Sequence, residues 1–225
     1  MSEMKRTLIN QIVRAALLVP MCLIAFSFVS CSGDDKTTSS GTTYVNGYAA
    51  VDLGLSVKWA TVNIGAESPE DYGNYYAWGE TEAKDSYTSS NSVTYGVDMD
   101  DIAGDAEYDA ATANWGSSWR MPTYDEMEEL VDNCTWTWTT ENGVNGYLVT
   151  GPNTNSIFLP AAGNRNGTSL YNAGSDGVYW SSTPIGSDDA FNLGYVVNGH
   201  SISISGPGVG YSFRYLGRTV RPVSE

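Results

Sequence analysis

Met127, Leu130, Val131 and Cys134 recur at i, i+3, i+4 and i+7, with Asp125, Glu128, Glu129 and Asp132 on the opposite face. That period predicts one amphipathic helix packed on an apolar surface. Its start is marked chemically. Thr123 can cap the first turn, Glu126 can reach back to the Thr123 amide, and Pro122 blocks helix before the cap. Asp125 and Glu126 also place negative charge at the positive end of the helix dipole. After the helix the period changes from 3.6 to 2: Thr135-Trp136-Thr137-Trp138-Thr139 alternates as a half-buried strand does. Asn142-Gly143 and Asn145-Gly146 are turn signals, and residues 147–150 and 157–159 predict a hairpin about Gly151-Pro152-Asn153.

Towards the N-terminus, residues 49–53 and 57–62 predict two strands around Gly54, with Trp59 as an apolar anchor. Residues 73–79, with Tyr75, Tyr76 and Trp78, form an aromatic segment of strand character. Residues 80–102 are polar and irregular, a long surface loop. Residues 109–114 predict a short helix stopped by Gly116. A second polar loop runs from Gly163 to Asp176. Final strands are expected at 178–182, 190–197, 202–205 and 218–223. Many short strands with two helices predict an α+β domain of antiparallel sheets.

The first 30 residues belong to export rather than to the fold. Lys5, Arg6 and Arg14 form a basic start, and the apolar run 15–29 is too short for a spanning helix. It ends in Phe28-Val29-Ser30-Cys31, which resembles a bacterial lipobox with Phe28 in place of the usual leucine. Cys31 would then be acylated and become the mature N-terminus, a stable anchor because it carries more than one chain. The alternative is an ordinary signal peptide with a chance cysteine. The acidic pair in Ser32-Gly33-Asp34-Asp35 resembles the surface-export signal of Bacteroidetes lipoproteins, so the expected location is the outer membrane, facing the medium. Residues 31–43 predict a flexible tether and 44–225 a single domain.

Composition then narrows the chemistry. The formal net charge is −15, and the export segment removes more base than acid, so the mature chain is more acidic still. Such a surface repels phosphate backbones, which excludes nucleic acid as a partner and leaves the lipid as the one link to a membrane. His200 is the single histidine, in a predicted hairpin tip, so a Ser-His-Asp or Cys-His arrangement and a histidine zinc site are not expected. Of 3 cysteines, Cys22 leaves with the export segment and Cys31 takes lipid. Cys134 remains without a disulfide partner on the apolar helix face, a buried and inert thiol. Asp98, Asp100 and Asp101 could offer oxygen ligands to calcium but lack the glycine and terminal glutamate of an EF-hand loop. A solvated acidic loop is the reading, with calcium the alternative and no other cofactor expected.

Five ordered blocks carry a family resemblance: Asp52–Ala60, Trp115–Thr123 (Trp-Gly-Ser-Ser-Trp-Arg-Met-Pro-Thr), Ile157–Gly163, Tyr179–Ser182 and Val220–Val223. Together they resemble the Fibrobacter succinogenes major paralogous domain (FISUMP) of bacterial lipoproteins. More broadly they resemble the C-type-lectin-like fold that includes the formylglycine-generating enzymes. The resemblance implies that fold, with paired N- and C-terminal strands. Generating-enzyme activity is not expected, since its reactive cysteines are absent and Met127 stands where that signature has tryptophan. Trp59, Trp78, Trp115, Trp119, Trp136, Trp138 and Trp180 are expected in the core. Arg120 and Arg221 are expected in structural ion pairs.

Outside the blocks the C-terminal half is rich in Tyr and Asn, which combine rigid contact area with adaptable hydrogen bonds. The candidate ligand-binding residues are Asn164, Arg165, Asn166, Tyr171, Asn172, Asn198, His200, Tyr211, Phe213 and Tyr215. The expected function is non-catalytic recognition or adhesion toward an extracellular glycan or protein. Three alternatives stand beside it: a cell-surface or fimbria-associated subunit, a carboxylate-based glycan hydrolase, and a target protein of a diversity-generating retroelement.

Overall fold

The computed structural model describes residues 41–196 and 207–225. The export segment with Cys31, and the strand expected at 202–205, lie outside the described residues. In chain order the described elements begin with β1 (Thr42–Val45), β2 (Tyr48–Asp52) and β3 (Lys58–Ala60). Two helices follow, α1 (Ala110–Trp115) and α2 (Tyr124–Asn133). Then come β4 (Thr135–Glu141), β5 (Val144–Thr150), β6 (Ser156–Pro160), β7 (Asn164–Asn166) and β8 (Ser169–Tyr171). The chain closes with β9 (Asp176–Ile185), β10 (Asp189–Val196), β11 (Gly208–Phe213) and β12 (Val223–Ser224).

The named strands pair antiparallel throughout, in sheets of order β1-β2-β3-β12, β4-β5-β6 and β11-β10-β9, with β7-β8 as a small hairpin. This is the α+β class that the pattern predicted. The C-terminal strand joins the N-terminal sheet through β3, Val223 opposite Trp59, rather than through β1. Strand β1 includes Thr42 and Thr43, so it reaches into the stretch expected as tether.

Helix α2 follows its sequence signals closely. Thr123 Oγ1 accepts from the Glu126 amide at 3.3 Å and Glu126 Oε2 accepts from the Thr123 amide at 2.9 Å, a complete capping box. Met127 and Leu130 are buried, whereas Val131 and Cys134 are only half-buried. Desolvation of Cys134, with Glu129 nearby, pushes its thiol up to about 11, so the thiolate is scarce at neutral pH. Helix α1 is capped by Asp109, a fully buried acid that accepts from Ala111 (2.8 Å), Thr112 (3.1 Å), Gly104 (2.8 Å) and Met121 (2.9 Å). Burial raises this carboxyl, and the four amide bonds oppose the rise. One side chain thus ties a loop, a helix start and the Trp115–Thr123 block together.

Arg120 grips the cap of α2. Its guanidinium meets Glu126 in a fork at 2.6 and 2.8 Å and reaches Glu225 at 2.9 Å. Burial by itself raises the Glu126 carboxyl, but Arg120 and the Thr123 amide outweigh it and hold the group below its ordinary 4.5. A carboxyl depressed on folding stabilises above its unfolded value and loses that contribution as pH falls through the lower folded value. Glu126→Gln should therefore lower the melting temperature at neutral pH, with the deficit fading below about pH 4. Thermal unfolding by circular dichroism across that range checks this. A deficit of constant size would contradict the assignment.

The core has two main clusters. One gathers Trp78, Trp115, Trp119, Trp180 and Met121; the other joins Trp59, Met127 and Leu130 to Val149, Ile157, Leu159 and Val223. Trp136 and Trp138 are half-buried, on the alternate face of β4, and meet Tyr147 edge-on at 5.6 and 5.1 Å. Arg221 corrects its expected ion pair. It is 1% exposed and donates to Asn63 Oδ1 (2.8 Å), Ala60 O (3.0 Å) and Phe158 O (3.0 Å), with no carboxylate among its partners in the described residues. Neutral carbonyl dipoles thus replace an acid around a buried cation, which arginine, being very hard to deprotonate, survives.

Four further expectations are revised. Residues 73–79 form no strand; Tyr76 bridges Arg218 through amide bonds of 2.8 and 3.0 Å, and the segment stays otherwise irregular. Asn145-Gly146 is not a turn but lies inside β5, where a Cβ on Gly146 would stand 2.3 Å from the Leu159 carbonyl oxygen. Asn142-Gly143, with φ of 47° and 87°, supplies the hairpin turn instead. The loop after Gly163 folds into the β7–β8 hairpin, and residues 218–222 bind neighbours by isolated bridges before β12.

Candidate functional site

Strand β11 lies at the edge of its sheet, with Tyr211 opposite Phe191 and Phe213 opposite Asp189 on β10. Successive side chains alternate across a strand, so Val209, Tyr211 and Phe213 share one face. Val209 reaches the core cluster beneath α2, while Tyr211 is 63% and Phe213 45% exposed. Phe191 in turn packs on Tyr124 of α2 at 4.5 Å.

Just past β11 the chain turns back, and Tyr215 stacks on Phe213 with centroids 5.4 Å apart and planes 13° from parallel. Tyr95, from the long loop, meets both rings edge-on, at 5.2 Å to Tyr215 and 6.2 Å to Phe213. Exposed Val93 and Val97 flank Tyr95. Desolvation, with Asp188, Tyr215 and Asp189 adding to it, raises the Tyr95 hydroxyl above its ordinary value, so it remains protonated. The result is an aromatic ledge bordered by acids.

A buried cation holds the ledge in place. Arg214 is fully buried, lies over the Trp78 ring at 4.2 Å and donates to Thr94 O (3.1 Å), Val97 O (2.7 Å), Gly186 O (2.7 Å) and Asp189 O (3.1 Å). Those carbonyls come from the loop carrying Tyr95 and from the β9–β10 connection. Thr94 Oγ1 also donates to Trp78 O at 2.6 Å. The loop is therefore fixed to the sheet by satisfied hydrogen bonds on both sides of Tyr95, and a ligand would meet a largely preformed surface.

The sequence candidates divide between places. Tyr211, Phe213 and Tyr215 belong to the ledge. Asn164, Arg165, Asn166 and Tyr171 lie on the β7–β8 hairpin, with Asn172 just after it. Asn172 serves the turn, its Nδ2 donating to Asp176 Oδ2 at 2.7 Å. Arg165 joins the two places, since its backbone bridges Gly217, two residues past Tyr215. Asn198 and His200 lie outside the described residues.

Asp98, Asp100 and Asp101 do not converge. Asp101 is occupied by the Ala103 amide (2.9 Å) and the Thr183 hydroxyl (2.6 Å). Among the described residues no three His, Cys, Asp or Glu side chains are placed to hold a metal ion. No helix among them is long and apolar enough to cross a membrane. Tyr95 and Arg214 are the residues that sequence reasoning missed. The alternation Val93-Thr94-Tyr95-Gly96-Val97 was the available signal for the first.

Comparisons of the chain with protein-family models, curated proteins and solved structures return no match.

Proposed function

We propose that this chain is a surface lipoprotein with a C-type-lectin-like, FISUMP-related domain that binds an extracellular glycan without transforming it. The aromatic ledge carries the reading: Phe213 and Tyr215 are stacked, exposed or half-exposed, and braced from below by Arg214. The C–H faces of pyranose rings pack on such aromatic faces, while the flanking Asp188 and Asp189 can accept sugar hydroxyls. The anchor rests on the lipobox-like sequence at Cys31 and the fold name on the five blocks. The missing partner for a nucleophile and the single histidine argue against hydrolytic acyl chemistry.

Stacking is screened little by salt. On a glycan array the protein should therefore retain neutral glycans at low and high salt alike, and prolonged incubation should release no new reducing ends. Release of reducing ends would replace this reading with the carboxylate-based hydrolase. Capture of proteins alone would replace the glycan as ligand.

A further inference from the structure

Beside the β7–β8 hairpin lies an open recess of about 410 Å³ whose lining includes Asn74, Tyr75, Lys84, Asp85, Arg165 and Thr168. Its two cations differ in state. Lys84 Nζ is held by Glu80 at 2.6 Å and by the Asn91 carbonyl at 3.0 Å, so its charge is already answered. Arg165 lies over the Tyr75 ring at 4.9 Å, and none of its guanidinium N–H groups has an acceptor among the described residues. Arg214 and Arg221 likewise lack an acid, but their guanidinium groups are spent on carbonyl oxygens inside the fold, whereas Arg165 lines an open recess.

The platform under Arg165 is rigid. Tyr75 Oη donates to Ala162 O at 2.6 Å, Tyr87 Oη donates to Tyr75 O at 2.6 Å, and the Arg165 backbone exchanges bonds of 2.7 and 2.9 Å with Gly217. Gly217 permits this approach, because a Cβ there would stand 2.8 Å from the Tyr87 ring and 2.9 Å from Arg165 Cβ. A fixed planar fork without an acceptor is the geometry that recognises a carboxylate.

Resting on the glycan reading above, we infer that this recess is a subsite for the carboxylate of an acidic sugar, a uronic or sialic acid residue. Asp85 selects among anions. It lies in the same recess, beyond ion-pair distance of Arg165, so a free inorganic anion meets its repulsion with nothing in return. A sugar acid offers Arg165 its carboxylate and offers Asp85, Asn74 and Thr168 its hydroxyls. The aromatic ledge is close by. Tyr215 is two residues from Gly217 and Gly217 pairs with Arg165, so the Cα atoms of Tyr215 and Arg165 are no more than about 13 Å apart. That distance is within the span of a short oligosaccharide.

The test uses the full mature protein with a uronic-acid trisaccharide and its carboxyl-reduced counterpart, titrated at low and high salt. Wild type should bind the acidic form about tenfold or more tightly than the reduced form, with the preference shrinking at high salt. Arg165→Gln should abolish the preference, lowering affinity for the acidic form to about that for the reduced form. Arg165→Lys should keep only a minor part of it, because a point charge lacks the fork. Equal affinity of wild type for both forms, or a preference that survives Arg165→Gln with the melting temperature intact, overturns the subsite but leaves the ledge standing. Failure of wild type to bind either trisaccharide overturns the subsite too. Alanine at Phe213 and Tyr215 separates the two readings, since it should weaken both forms alike and keep the ratio.

Discussion

Trp119→Ala should cost about 3–5 kcal/mol, the usual range for removing a buried large aromatic side chain. The indole is fully buried, meets Trp115 edge-on at 5.2 Å and donates Nε1 to the Val45 carbonyl at 3.0 Å. Trp115 in turn stacks on Tyr48 at 3.8 Å, so the lost ring undermines a row that joins α1 to the edge of the N-terminal sheet. Truncation also leaves the Val45 carbonyl without that donor. Against a typical total stability of about 5–15 kcal/mol, such a loss is a third or more and threatens folding at growth temperature. Urea denaturation followed by circular dichroism measures it. Trp119→Phe, which keeps most of the volume and loses the hydrogen bond, should cost markedly less. An unchanged midpoint for the alanine variant would remove Trp119 from the core.

The second large effect concerns the anchor. Cys31→Ala removes the only cysteine of the lipobox-like sequence, so palmitate incorporation should fall to background and the protein should no longer be retained in the envelope. With no acyl chain left to anchor the protein, little residual retention is expected. Replacing Asp34 and Asp35 by alanine should act differently. That variant should still be acylated but lose protease accessibility on intact cells. Undiminished palmitate labelling of Cys31→Ala would rule out the anchor.

What could be read from the chain depended on how local the physics was. The capping box at Thr123 and Glu126 and the alternation of β4 are set by residues within a few positions of one another, and both are found where the pattern put them. Strand β11 was not visible, because Gly208-Val209-Gly210 has low strand propensity and becomes a strand only by pairing with β10. Arg221 suggested an acid partner from its charge, yet its acceptors are carbonyls contributed from far along the chain, which spacing cannot display. The ledge was half legible. Tyr211, Phe213 and Tyr215 stood out by composition, whereas Tyr95 is brought in over more than a hundred positions by hydrogen bonds to Arg214. The stacking of Arg165 on Tyr75 is likewise a product of the tertiary fold.

Recognition by the aromatic ledge is tested most directly by calorimetric titration of the best-bound neutral glycan into wild type and into a Tyr95→Ala, Phe213→Ala, Tyr215→Ala variant. Aromatic stacking is commonly worth about 1–3 kcal/mol per ring, so removing three rings should lower affinity about a hundredfold or more while the melting temperature changes little. Wild-type affinity in a correctly folded triple variant would contradict the account.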